Sequence, residues 1–196
     1  MPILGEEPII GGTTYVVATI ARPGVIRHTG TNARIRCGRL DRRPDPVLTG
    51  YVEQIKNANI DITLSDHILL DIWKKFVLLS GTSSITASTR QPLGVIRDDK
   101  DMRAFFYKLM HETIAVGSAA GLKFPPDFPA ELDALVAAPA PTMKASMAND
   151  LDAGNRLELD WLAGKVVALG RKYGIPTPGQ EAVYAILKPY RMGRLR

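Results

Sequence analysis

Two stretches of the 196-residue sequence carry residues able to do acid–base chemistry. The first is Trp73-Lys74-Lys75-Phe76-Val77-Leu78-Leu79-Ser80-Gly81-Thr82-Ser83-Ser84-Ile85-Thr86-Ala87. Lys75, Leu79 and Ser83 are spaced i, i+4 and i+8, so a helix aligns an ammonium and a hydroxyl along one wall. A lysine partly removed from water loses its proton more readily and becomes an effective proton donor. Seven of the eight residues 80–87 are small or hydroxylated, types that form helices poorly, so another group must approach that face. The alternative is structural: Lys75 snorkels off an amphipathic helix and the small residues allow close helix packing. In the second stretch, residues 141–164, Ser146 and Glu158 each open a helix, where free amides suit a carboxylate and an acidic side chain complements the dipole. First-turn capping for Ser146 and a dipole partner for Glu158 are the ordinary alternatives.

The elements that must position these residues follow from periodicity. Alternating runs at 15–21, 25–28 and 34–37, with turns at Pro23-Gly24 and Gly30-Thr31-Asn32, predict three short strands of an antiparallel meander. Three such strands bury too little alone, so they are expected to complete a larger sheet. Helical spacing then predicts a helix from Pro46 to about residue 57 and a strand over 60–64. A long helix follows over 66–88, capped by Ser65 and stopped by Pro92-Leu93-Gly94, and another over 98–120. After the proline-rich joint at 124–129 come a short helix, one from a Thr142 cap to about 153, one over 157–173 ended by Gly174, and a last over 179–187. The expected fold is mainly α: a few strands, residues 1–65, ahead of an all-helical domain, residues 66–196.

Composition removes several classes. Cys37 is the only cysteine and His28, His67 and His111 are scattered, so a metal site is not expected. No apolar run approaches the roughly 18 residues of a membrane span, and the start lacks a leader pattern, which suggests a cytoplasmic protein. The formal charge is +5, with arginines bunched at 22–43 and basic residues again at 188–196, but aromatic residues make up only 7%. A solvated face or an anionic small substrate fits this better than nucleic acid. No two of the seventeen glycines are separated by a single residue, so neither G-x-G-x-x-G nor a phosphate loop is present.

The two stretches together resemble the C-terminal domain of the ketopantoate reductase (2-dehydropantoate 2-reductase) family. Its W-[KR]-K motif appears as Trp73-Lys74-Lys75, with Thr86-Ala87 downstream. Its S-M-x-x-D motif is Ser146-Met147-Ala148-Asn149-Asp150, and T-E-[IL]-D-x-[IL]-x-G appears as Leu157-Glu158-Leu159-Asp160-Trp161-Leu162-Ala163-Gly164. Gly174-Ile175-Pro176-Thr177-Pro178 matches the family's closing motif, and Gly12-Thr13-Thr14 with the following strands resembles the end of its dinucleotide-binding domain. The resemblance implies a 6-phosphogluconate dehydrogenase C-terminal-like helical domain joined to the last strands of a Rossmann-type sheet whose N-terminal part is missing. It implies NADPH-dependent reduction of a 2-oxo acid on the route to pantothenate; separately, the apolar helices and Gly117-Ser118-Ala119-Ala120-Gly121 would permit a homodimer. Lys75 would donate the proton, Ser146 and Ser83 would bind substrate, and Glu158 would orient the lysine and the nicotinamide end of the cofactor. Leu79 and Ser83 replace asparagines of better-studied members, as Met143 replaces another, which weakens polar readout of the substrate. Without the glycine fingerprint the chain alone is expected to be inactive. The alternative is a truncated, non-catalytic helical module for dimerisation or binding.

Overall fold

The structure is a computed structural model whose described residues are 5 and 7–194. Residues 1–4 and 6, read above against a leader, and Arg196 of the terminal basic cluster lie outside the described residues. The chain divides into two compact units, Met1–Trp73 and Lys74–Arg196.

In the first unit, strands β1 (Ile10–Arg22) and β2 (Val25–Arg39) form one long antiparallel hairpin, paired from Ile10 with Arg39 to Arg22 with Val25. The three short strands expected from the sequence are therefore two long ones. Pro23-Gly24 does reverse the chain, with Gly24 at φ 77°. Gly30, at φ 79°, instead serves a bulge: between Val16 and Ala18 the register slips from Ala33 to His28, and β2 continues through it.

Helix α1 (Pro46–Asn57) follows. Asp45 caps it by accepting the Leu48 N–H at 2.9 Å, and Pro46 loses nothing in a first turn whose amides have no helical partner. Strand β3 (Asp61–Leu64) returns parallel to β2, giving the sheet order β1-β2-β3. Leu48 and Val52 of α1 cover Ile62, Ile35 and Cys37 on one face of the sheet. On the other face Gly11 and Gly38 lie close against Ile68, and the Arg36 guanidinium donates to Asp71 at 2.7 Å. Asp71 also accepts from the Ser65 hydroxyl, which in turn accepts the His67 N–H at 3.2 Å. Ser65 thus satisfies the turn before the long helix, and the helix itself begins at Ile68.

The second unit takes α2 (Ile68–Thr89) from Lys74 onward, then α3 (Leu93–Asp98), α4 (Lys100–Ala119), α5 (Phe128–Ala137), α6 (Ser146–Ala153), α7 (Ala163–Tyr173) and α8 (Pro178–Leu187). The fold is mainly helical with a small sheet preceding the helical part, as the sequence indicates. Three boundaries differ from expectation. Helix α2 ends at Thr89, ahead of Pro92 as expected, but Pro92 also opens an unexpected short helix, α3, because a proline in or before a first turn has no hydrogen bond to lose; Asp99 then caps α4 through the Met102 N–H at 2.8 Å. Helix α6 starts at Ser146 with Ala145, not Thr142, as the cap residue. Helix α7 starts at Ala163, because residues 157–162 turn instead of coiling. Gly154 and Gly174 end α6 and α7 at φ 72° and 69°, as expected. Among the described residues no helix is long and apolar enough to cross a membrane.

The small face of α2 meets protein. A Cβ on Gly81 would collide with Met110 and come within 3.1 Å of Phe106, both on α4. Ser80 and Thr113 share a hydrogen bond of 2.9 Å between α2 and α4, and Ser84 donates to Gln180 of α8 at 3.0 Å. Buried Glu112 of α4 accepts the Gly179 and Gln180 amides at 2.8 and 2.9 Å, placing a carboxylate at the positive end of α8. The run of serine, glycine and threonine is a close-packing surface, the structural alternative raised above. Gly81→Val should lower the unfolding free energy by about 1–3 kcal/mol, the usual cost of overpacking a filled core. Urea denaturation at unchanged slope would measure it, and an unchanged midpoint would contradict this packing.

Candidate active site

The two lysines of Trp73-Lys74-Lys75 have different surroundings. Successive helical residues point about 100° apart, so one stripe cannot hold both. Lys74 reaches Glu131 of α5 at 2.5 Å, and its ammonium lies 5.2 Å from the centre of the Phe128 ring. That lysine is committed to holding α5 against α2. Lys75 is partly buried, and burial pushes its pKa below the ordinary lysine value, because the charged form loses hydration.

Along the stripe that begins at Lys75, the next two positions diverge. Leu79 is 39% exposed, whereas Ser83 is 3% exposed. The hydroxyl expected to line a wall with the ammonium lies inside the helical unit, and the side chain that faces outward one turn from Lys75 is leucine.

Three turns beyond Lys75, Thr86 ties this helix to the second stretch. Its hydroxyl donates to the Thr82 carbonyl at 2.7 Å and accepts the Ala145 N–H at 3.3 Å. Ala145 is the cap residue of α6, so Thr86 fixes where Ser146 begins that helix. The approach is held from a second side: Leu93 and Gly94 of α3 donate to the Met143 and Pro141 carbonyls at 2.9 and 2.8 Å. Ser146 itself is exposed, and no side chain caps α6. At the other end, Asn155 donates to the Asp150 carboxylate at 3.1 Å, which gives the aspartate of the S-M-x-x-D motif a turn-holding role.

Glu158 sits in the turn before α7. Leu157, Leu159 and Leu162 point into the core, while Glu158, Asp160 and Trp161 face out. The Glu158 carbonyl accepts the Trp161 and Leu162 amides at 3.0 and 3.1 Å, closing the turn. Asp160 accepts the Tyr184 hydroxyl of α8 at 2.8 Å, and this hydrogen bond raises the phenol pKa. A Cβ on Gly164 would come within 2.8 Å of the same ring, so the motif glycine is what lets α7 lie against Tyr184. Glu158 precedes the first residue of α7 by five positions; the reading of Glu158 as a partner of that helix dipole is therefore corrected. The exposed carboxylate is left available for chemistry.

In the sequence Thr86 stands only as part of a motif, and spacing is the signal for its role: eleven residues make just over three helical turns, so Thr86 and Lys75 share a face. Part of the arginine cluster is paired internally. Arg39 contacts Asp41 at 3.0 Å and Asp45 at 3.3 Å, Arg43 contacts Asp41 at 2.8 Å, and these bonds hold the Asp41 carboxyl well below the usual range. Arg39, Arg42 and Arg43 line a cavity of about 520 Å³ in the first unit.

A dinucleotide cofactor requires a strand-to-helix turn at which glycine lets the backbone meet the pyrophosphate. The described strand-to-helix connections are residues 40–45 and 65–67, and neither contains glycine. Among the described residues that cradle is not formed.

Comparison with known proteins places these features. The model of the family described as ketopantoate reductase PanE/ApbA, C terminal, matches residues 67–191. A 2-dehydropantoate 2-reductase of Mesorhizobium japonicum is 29% identical over 185 residues, covering 94% of this chain and 56% of that protein. The uncharacterized oxidoreductase YkpB of Bacillus subtilis is 26% identical, with coverage of 94% and 61%. Among solved structures, a PanE/ApbA family ketopantoate reductase from Ralstonia eutropha JMP134 superposes with a TM-score of 0.82 at 26% identity, covering 93% of this chain and 59% of that one. The chain thus spans 56–61% of the length of these relatives. The motif residues from Trp73 to Pro178 and the turns they hold lie inside the matched segment, and the chain belongs to the ketopantoate reductase family.

Proposed function

We propose that this chain supplies the substrate-binding and catalytic half of an NADPH-dependent reductase of 2-oxo acids, 2-dehydropantoate or a relative of it. Residues 1–65 would be the end of the dinucleotide-binding domain and 66–196 the catalytic domain. The enzyme would work in the cytoplasm on a small 2-oxo acid, with neither nucleic acid nor membrane as a partner, and would pair as a homodimer. The observation that carries the reading is the contrast between adjacent lysines, Lys74 bound to Glu131 and Lys75 with its pKa lowered by burial.

The chemistry asked of Lys75 is simple. Reduction of a ketone builds negative charge on oxygen, and an ammonium within reach stabilises the charge and then neutralises it by transferring a proton from Nζ. A lowered pKa makes that transfer easier, and the neutral amine regains its proton from solvent. Ser146, held at the start of α6 by the Thr86 hydrogen bond to Ala145, would donate to the substrate, and exposed Glu158 would orient the ammonium. NADPH, when bound, would supply the hydride; since the described residues form no pyrophosphate cradle, the pyrophosphate would be held by residues other than these.

In the NADPH-loaded enzyme carrying this chain, Lys75→Ala should lower kcat for 2-oxo acid reduction by about 10²–10⁴-fold. The Kd for NADPH should stay within about threefold, since by this reading the lysine serves the later chemical step. Near-normal turnover would overturn the role. Failure of the wild-type enzyme to bind NADPH would favour the non-catalytic module instead.

The pH dependence has a defined sign. The protonated lysine is the active form, and burial makes it lose its proton at lower pH than an ordinary lysine. Reduction should therefore be fully supported below the lowered pKa and fall as pH rises through it, with a midpoint under the ordinary lysine value. A profile flat through that range would contradict proton donation by Lys75.

A further inference from the structure

We infer that a cavity at the C-terminal end of α2 binds the phosphate group of a small phosphate monoester. The inference is independent of the proposed role of Lys75: α2 rises about 21 Å between Lys75 and Thr89, its last residue before the cavity.

The cavity, of about 360 Å³, lies within the second unit, between the residue that follows α2, the end of α6 and the segment 190–194. That size is at the small end of what takes a small molecule. Among the described residues lining it, the only charged ones are Arg90 and Arg194.

Each arginine is there against a local preference. Arg90 stands at φ 59°, the left-handed position after a helix that favours glycine. From the protein it obtains one exposed ion pair, with Asp152 at 3.3 Å, and Lys144 shares that carboxylate at 3.0 Å. Exposed pairs stabilise little, so stability does not explain an arginine held in a strained conformation. Arg194 is admitted by two glycines, Gly154 at φ 72° and Gly193 at φ 88°. Its N–H donates to the Gly154 carbonyl at 3.0 Å, and a Cβ on Gly154 would collide with its side chain. Among the described residues no carboxylate pairs with the Arg194 guanidinium.

The acidic residues of α6 do not neutralise the cavity. Asp150 accepts from the Asn155 amide at 3.1 Å, Asp152 is shared by two cations, and neither lines the space. In the cavity of the first unit, by contrast, Arg39 and Arg43 are matched by Asp41 and Asp45. Two guanidinium groups suit a phosphate monoester, which carries about −1.5 to −2 charge near pH 7 and accepts paired N–H donors, better than a singly charged carboxylate. Leu151 and the half-exposed Tyr190 ring line the same space and give the organic part of the ester an apolar surface.

The test is a calorimetric titration of the full chain with phenyl phosphate, and with benzoate as the singly charged comparison, while NMR follows the ¹⁵N-labelled arginine side chains. Phenyl phosphate should saturate, bind about tenfold or more tightly than benzoate, and shift the Arg90 and Arg194 signals. Arg90→Gly suits the left-handed position and removes the guanidinium, so it should weaken phenyl phosphate by about tenfold or more while leaving Tm close to that of the wild type. Arg194→Met should weaken it to a similar extent. Arg42→Gly removes an arginine at φ 63° from the first unit and should leave the Kd unchanged. No saturation by phenyl phosphate, equal binding of benzoate, full affinity in Arg194→Met, or equal losses in Arg42→Gly and Arg90→Gly would overturn the inference. So would a marked fall in Tm for Arg90→Gly with its affinity intact, which would make Arg90 a structural residue. The reductase reading is untouched by any of these outcomes.

Discussion

The second unit depends on how closely α2 can approach α4 and α8. Gly81 removes the side chain that would collide with Met110, Ser80 meets Thr113, and Ser84 meets Gln180. The approach then brings buried Glu112 to the amides of Gly179 and Gln180, so two otherwise unpaired donors at the start of α8 are satisfied by one carboxylate. Gln180 also donates to the Leu109 carbonyl at 3.1 Å, closing a polar network inside an apolar core. Such a network stabilises only when all its members are matched, which makes the spacing between these helices strict. A larger residue at 81 would disturb the placement of α8 as well as α4.

A helix pinned on one side can offer its opposite side with defined geometry. Lys74 is used to bind α5 through Glu131 and Phe128, and the turn of about 100° to the next residue carries Lys75 onto another stripe. Thr86, on the Lys75 stripe, holds the amide that begins α6. The loops bearing Ser146 and Glu158 are thereby stitched to helices rather than left to wander: one through Thr86 and the start of α3, the other through its inward leucines and the Asp160–Tyr184 bond. Exposed polar residues on well-held turns suit a site that must position a small anion.

Much of this was legible in the sequence because the signals are local. Helical spacing located α2, α4 and α8, Asp45 and Pro46 marked α1, and Gly154 and Gly174 marked the ends of α6 and α7. What was not legible depended on partners distant in sequence. Gly30 reads as a turn, yet with β1 alongside it becomes a bulge in a continuous strand. Leu157 to Leu162 has helical-looking periodicity, but its leucines are drawn inward separately and the Leu157 amide bonds to the Arg191 carbonyl, so the segment turns. Ser83 and Leu79 are equally plausible wall residues by spacing; only the packing of α2 decides that serine is inside and leucine outside.

The family's C-terminal half is present here as a helical unit whose close packing is built from small residues and whose proposed reactive stripe begins at one lysine. Proton donation by Lys75 requires that this lysine be electrostatically unlike an exposed one. Following the ¹⁵N and ¹³C resonances of selectively labelled lysine through a pH titration, with Lys75→Arg to assign the signal, measures this without substrate or cofactor. A Lys75 ammonium that deprotonates below the ordinary lysine value is the expected result, and a midpoint at or above that value would contradict it.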